Sequence, residues 1–194
     1  MKSLVIGLSG KQGAGKTTIA DLLSQNLKEE QFEVKVFKFA KPLYQMHDAV
    51  WTVAKQYGMA NEHVKDGVLL QLLGTEWGRK TRGENIWVNC LLHELSLEDS
   101  KVESKSVFII DDMRFPNEFD GLHNLNAVTI RLDAPAEVRR PRAEMWRENE
   151  QHPSETGLDN YYFEGKFDLV LDTARNDKYT NTAKVLEFLK KNRL

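Results

Sequence analysis

Apolar residues along this chain fall into two rhythms that take turns from end to end. Leu4-Val5-Ile6-Gly7-Leu8 is a short continuous apolar run, the pattern of a strand buried on both faces. Behind it Ile19, Ala20, Leu23 and Leu27 recur at three- and four-residue spacings, which predicts a helix. Phe32 to Phe39 reads as a second strand, with Val34 and Val36 on one face. A mainly helical stretch then runs from about Pro42 to Leu97. Pro42 suits the first turn of a helix, and Gly58, Gly67, Gly74, Gly78 and Gly83 punctuate the rest of the stretch. Val107-Phe108-Ile109-Ile110 predicts a third strand, Pro116 opens another helix, and Ala127 to Leu132 predicts a fourth strand. Ala136 to about Glu150 reads as a basic helix, Phe167 to Leu171 as the last strand, and Lys178 to Lys191 as a closing amphipathic helix.

Strands that alternate with helices imply an α/β fold in three layers, a parallel sheet with helices on both faces. With 194 residues, 41% of them apolar, the chain has material for one core, so a single domain over 1–194 is expected. Two helical insertions interrupt the alternation, at about 42–100 and about 135–165. Open parallel sheets bind ligands outside the carboxyl ends of their strands, which is where both insertions would fold. A formal charge of −2 gives no reason to expect nucleic acid or an anionic membrane as partner. The single cysteine, Cys90, fits a reducing compartment, and no run has the length of a membrane span or the form of a signal peptide. These features together predict a cytoplasmic protein.

The strongest chemical signal is Gly10-Lys11-Gln12-Gly13-Ala14-Gly15-Lys16-Thr17, placed between the first strand and the first helix. It has the form G-x-x-x-x-G-K-[ST], the phosphate-binding P-loop. Its glycines let successive N–H groups converge on an anion, and the following helix aims its positive end at the same place. Gly13, Ala14, Gly15, Lys16, Thr17 and Thr18 are thus the expected triphosphate site, with Lys16 on the terminal phosphates and Thr17 on Mg²⁺. A carboxylate after the third strand would serve the metal, and Asp111-Asp112 supplies two candidates, Asp112 preferred. Arg114 offers a fork for a phosphate, or a salt bridge to Glu118 one turn on. Arg139, Arg140, Arg142 and Arg147 form the densest basic cluster; Glu137, Glu144 and Glu148 could neutralise part of it. Arg139 and Arg142 share one face and are the expected lid arginines. In the first insertion, Gln71, Arg79, Arg82 and Trp87 are candidates for an acceptor pocket, Gln71 by paired hydrogen bonds and Trp87 by stacking. The five histidines show no metal-ligand spacing along the chain, and no Ser/His/Asp arrangement is evident.

With these residues in view, the chain resembles the deoxynucleoside monophosphate kinases of tailed phages, a branch of the P-loop nucleotide kinases. The resemblance rests on Ser9 to Thr17, Ala40-Lys41-Pro42-Leu43, Leu70 to Glu76 with Ile86-Trp87-Val88, Asp112-Met113-Arg114 with Glu118, and His152 to Leu158. It implies a three-layer P-loop kinase fold, ATP and Mg²⁺ as cofactors, and phosphorylation of a deoxynucleoside 5′-monophosphate. It implies small-molecule nucleotides as partners, and a monomer or homodimer is expected. Leu43, Gly74 and Trp87 would line the monophosphate site, with Lys11, Gln71, Arg79, Arg114, Glu118 and Glu155 around the substrate. Asp112 and Arg114 would stand beside the phosphates, and arginines after the fourth strand would close over ATP. The chain departs from its phage relatives in carrying Thr17 after the P-loop lysine and Gln12-Gly13 in mid-loop. Animal-type phosphomevalonate kinases share the architecture and a segment like Ser154-Glu155-Thr156-Gly157-Leu158-Asp159, and so stand as the alternative. A guanine-reading switch protein would carry Asn-Lys-x-Asp, which is absent.

Overall fold

The computed structural model describes residues 2–59, 62–102, 105–143, 146 and 150–194. Five strands form one sheet: β1 (Leu4–Ser9), β2 (Glu33–Phe37), β3 (Ser106–Met113), β4 (Val128–Asp133) and β5 (Leu169–Asp172). Their order is β2-β3-β1-β4-β5, and every neighbouring pair is parallel. The apolar runs of β1 and β3 are continuous because both faces are covered. Ile6, Leu8, Val107 and Ile109 face one cluster, built with Ile19, Leu23 and Leu27 of α1 (Lys16–Glu29) and with Val185 and Leu189 near the C-terminus. Val5, Phe108 and Ile110 face the other, which holds Val88, Leu91 and Leu95 together with Phe119 and Leu122. The period of two along the strands therefore sorts side chains into two cores, one per sheet face.

The first insertion folds as α2 (Lys41–Gln56), α3 (Gly67–Gln71), a π-helical continuation over Leu72–Arg82, and α4 (Ile86–Ser100). Asp66 caps α3, its Oδ1 accepting from the N–H groups of Val68 and Leu69 at 2.9 and 3.0 Å. Gly74 and Gly78 do not break the helical run as punctuation would. They make room: a Cβ at Gly78 would stand 2.6 Å from Cζ2 of Trp87. After β3 come α5 (Pro116–His123) and, beyond β4, α6 (Ala136–Arg139) with a single 3₁₀ turn over Arg140–Arg142. The predicted basic helix to about Glu150 ends there, because Pro141 lacks the N–H a continuing helix needs. Two short helices, α7 (Pro153–Thr156) and α8 (Asp159–Phe163), lead into β5, and α9 (Lys178–Asn192) closes the fold.

β2 and β3 also differ from the sequence pattern. β2 is an edge strand and shorter than expected. Val34 is buried while Val36, on the same face of this edge strand, is 43% exposed. β3 runs on to Met113, so Asp111 and Asp112 lie within the strand rather than after it. Arg147, Glu144 and Glu148 lie outside the described residues.

Candidate active site

The loop Gly10–Gly15 leaves the carboxyl end of β1, the middle strand, and delivers its last N–H groups to the start of α1. Gly13 has φ +75°, and a Cβ there would stand 2.4 Å from the carbonyl oxygen of Arg139, so the position accepts no side chain. Lys16 folds back over the loop, its Nζ donating to the carbonyls of Gly10 (2.7 Å) and Lys11 (3.2 Å). Burial, and then the nearby Arg114 guanidinium, lower its pKa to about 7. This ammonium is short of negative charge.

Thr17 Oγ1 donates to Oδ2 of Asp111 at 3.1 Å, and Lys38 Nζ reaches the same oxygen at 3.1 Å. Asp111 is 3% exposed, and its buried Oδ1 has no hydrogen-bond partner among the described residues. Oxygen donors with an unsatisfied buried carboxylate oxygen fit a hard divalent cation. Asp112, the preferred residue from sequence, faces elsewhere. Its two oxygens accept the N–H groups of Phe39 (2.9 Å) and Ala40 (3.0 Å), which ties β3 to the start of α2. Burial raises its pKa against those bonds. The alternation of the strand separates the two neighbours, so only one can face the loop.

Arg114 reaches Glu155 Oε1 at 2.7 Å and the Ser154 carbonyl at 3.3 Å. The bridge to Glu118 takes another form: Glu118 Oε2 accepts the backbone N–H groups of Arg114 (2.7 Å) and Phe115 (3.1 Å). Glu118 is buried, which pushes its pKa to about 7, and Arg79 stands 3.3 Å from its other oxygen while stacking over Phe115. Glu155 has a second task, its Oε2 accepting Gln12 N–H at 2.7 Å. Lys11 pairs with Asp159 Oδ2 at 2.9 Å, and the other oxygen of Asp159 holds Arg131 at 2.9 Å. The middle of the loop is thereby braced by α7 and α8.

Arg139 does not act as a lid arginine in this arrangement. It is 4% exposed, and its guanidinium donates to the carbonyls of Ala134 (2.8 Å) and Gln12 (2.9 Å) and to Glu150 (2.9 Å). It supports the loop from behind. Arg142, one 3₁₀ turn later, is exposed and lines the main cavity.

That cavity has a volume of about 1160 Å³ and spans the sheet. Thr173 and Asn176, between β5 and α9, and Asn181 of α9 line it on one side of the P-loop; Tyr44 and Lys65 of the first insertion line it on the other. Between them stand Gly13 to Thr18, Arg114, Arg142, Ser154 and Glu155. The remaining expected acceptor residues lie elsewhere. Trp87 is 4% exposed, with Nε1 donating to the Gly74 carbonyl at 3.0 Å, so its ring is core and not a stacking surface. Leu43 packs on Gly74, and Gln71 is exposed away from the cavity wall. Arg82 is also exposed and does not line it.

Sequence reasoning missed Asp111's partner Lys38, the pair Arg131–Asp159, and Tyr44 with Lys65. Arg131 was legible in principle, as a charge inside the apolar run Val128–Leu132. It also missed a cluster. Ligand atoms of His47, Asp48 and His63 lie within 4.8 Å of one another, because the loop before α3 returns to α2. His47 Nε2 accepts from Trp51 Nε1 (3.2 Å) and from the Asp66 N–H (3.1 Å), which leaves the proton on Nδ1, facing Asp48 at 3.0 Å. His47 thus offers no lone pair to a metal, and its contact with Asp66, together with that of Asp48 with His63, clamps α2 to the segment that carries Lys65.

Comparison with known proteins fits this layout. The chain is 24% identical to a deoxynucleoside-5′-monophosphate kinase of Escherichia phage T5, over 82% of this chain and 87% of that one. Among solved structures, TT1252 from Thermus thermophilus superposes with a TM-score of 0.63 at 17% identity, covering 100% of both chains. The shikimate kinase from Acinetobacter baumannii, solved with shikimate, gives 0.51 at 15% identity over 99% of this chain and 96% of that one. These last two share the fold. No helix among the described residues is long and apolar enough to cross a membrane. The family described as AAA domain matches residues 6–162, well over half the chain, and the protein belongs to that family.

Proposed function

We propose that this protein transfers the γ-phosphoryl group of ATP to a deoxynucleoside 5′-monophosphate, giving ADP and the diphosphate. The observation that carries the reading is one continuous cavity whose P-loop lies between two differently lined ends, room for a donor and an acceptor in line. The cations on its walls are Lys16, Arg114, Arg142, Lys65 and Lys178. That charge suits two phosphate-bearing ligands. The likeness to the phage T5 kinase supports the same choice of acceptor.

The nucleophile would be an oxygen of the acceptor phosphate, anionic at neutral pH, so no general base is required. Its bond to the γ-phosphorus forms as the bond from that phosphorus to the β–γ bridging oxygen breaks, and ADP leaves with the negative charge. Thr17 and Asp111 would hold Mg²⁺, which when bound neutralises charge on the phosphates. Lys16 moves from its loop carbonyls onto the phosphates. Arg114, oriented by Glu155, stands toward the acceptor, and Arg142 comes from the segment proposed as a lid. The exposed ring of Tyr44, opposite the β5–α9 loop, is the surface available for stacking a base.

One observation favours a second reading, a phosphorylated small metabolite as acceptor. The burial of Trp87 removes the aromatic platform that the sequence offered for a base. A coupled assay of ADP release compares the four common deoxynucleoside monophosphates with phosphomevalonate in one experiment, with Lys16→Ala as the inactive control. Turnover with at least one nucleotide and none with the metabolite is expected. No stimulation by any of the four nucleotides refutes the proposal.

A further inference from the structure

Asp111 accepts from two donors in different parts of the chain. Lys38 directly follows β2, the strand beside β3, and Thr17 is the second residue of α1, behind β1 on the other side of β3. Both side chains end on the same oxygen, Asp111 Oδ2, at 3.1 Å each. The Asp111 side chain is 2% exposed and that of Lys38 46%, so the ammonium approaches a buried carboxylate from the solvent side. Nothing in the packing requires a lysine here. β2 is already tied to β3 by its ladder from Glu33 to Phe37, and the chain after Lys38 is tied by Asp112 to the N–H groups of Phe39 and Ala40. The ion pair is therefore additional to the contacts that shape the turn.

A divalent cation on Thr17 and Asp111 meets this ammonium on one carboxylate, and like charges on one counter-ion weaken each other. We propose that Lys38 is a positioning residue that competes with the divalent cation for Asp111, so that metal enters effectively only with the phosphates of a nucleotide. This rests on the reading of Thr17 and Asp111 as the metal side of a nucleotide site. Once phosphates accompany the cation, Lys38 can turn from the carboxylate to them, and its charge is kept within the site. Metal without nucleotide has no such exchange to offer.

The probe is Mn²⁺ alone, titrated into nucleotide-free protein and followed by loss of the free-ion electron paramagnetic resonance signal. Lys38→Met is expected to bind Mn²⁺ about fivefold more tightly than the parent, the factor that a fully formed half-exposed ion pair supplies. Lys38→Arg keeps the parent affinity, and Asp111→Asn in the Lys38→Met background removes the gain. Lys35→Met makes the same change in net charge three residues earlier, within β2 and away from Asp111, and is expected to leave Mn²⁺ binding unchanged. Equal affinities for the parent and Lys38→Met, no Mn²⁺ binding to Lys38→Met, or an equal gain in Lys35→Met overturns the proposal. Calorimetric binding of Mg·ATP to the parent tests the underlying reading separately. If Mg·ATP fails to bind, the nucleotide site is refuted; if it binds and Lys38→Met gains nothing for Mn²⁺, only the role of Lys38 falls.

Discussion

Replacing Arg139 by Ala separates a brace from a phosphate ligand. The guanidinium is almost fully buried and makes two hydrogen bonds to backbone carbonyls, Ala134 O and Gln12 O, besides its contact with Glu150. Each charge-assisted bond to a buried carbonyl is worth about 1.5–3 kcal/mol, and truncation leaves both carbonyls without a partner. The Glu150 carboxylate is half exposed, so that pair adds less than about 1 kcal/mol. Relief from burying the charge offsets part of the loss, which leaves about 3 kcal/mol net. For a chain of this length that lowers Tm by about 6–12 °C. Differential scanning calorimetry without nucleotide is the assay. Arg139→Lys should recover little, because one ammonium cannot span acceptors placed around a planar fork. ATP affinity should fall with the loop's order, and saturating ATP should return part of the lost Tm. An unchanged Tm together with a hundredfold loss of kcat would refute the brace and restore Arg139 as a ligand of the phosphates.

Two other outcomes rest on the same geometry. Lys16, with a folded pKa of about 7 against an unfolded value of 10.5, favours its neutral form in the free protein, so its penalty on stability is present below pH 7 and relieved as pH rises toward 10.5. Polyphosphate restores the charged form, so nucleotide binding should take up close to one proton at pH 8.5 and none at pH 6, read from calorimetric enthalpies in buffers of different ionisation heat; Lys16→Met should abolish the uptake. Trp87→Ala should cost about 3–5 kcal/mol of stability through the cavity it leaves between Gly78 and α4. Chemical denaturation reads that loss, and a variant of parental stability with a selective rise in acceptor KM would return Trp87 to the substrate site.

The pattern of the sequence was most legible where one residue type answers one physical demand. The apolar runs of β1 and β3 specify strands covered on both faces, and the spacing Gly10 to Thr17, set between a strand and a helix, specifies a phosphate loop. Legibility fell where a charged side chain had several partners in reach. Asp111 and Asp112 are adjacent in sequence and chemically identical, and only the pleat of β3 decides that Asp111 faces Thr17 while Asp112 faces the chain after β2. Arg139 and Arg142 share a basic segment, yet Arg139 is buried and Arg142, at the end of the 3₁₀ turn, is exposed. Arg114 had Glu118 one turn away, yet its guanidinium took Glu155, forty-one positions on, because α7 returns to the loop.

By itself, then, the sequence determined the alternating architecture, the location of the phosphate loop and the class of side chain gathered around it. These are local properties: periodicity, glycine at positions without room for a Cβ, and the chemistry of lysine and threonine next to an anion. Only the tertiary structure decided the division of labour among like-charged neighbours. It buried Trp87, turned Arg139 into a support, passed the place beside Thr17 to Asp111, and set Lys38 on the same oxygen. A buried charge settles where packing leaves it a partner, and that choice depends on elements far apart in the chain.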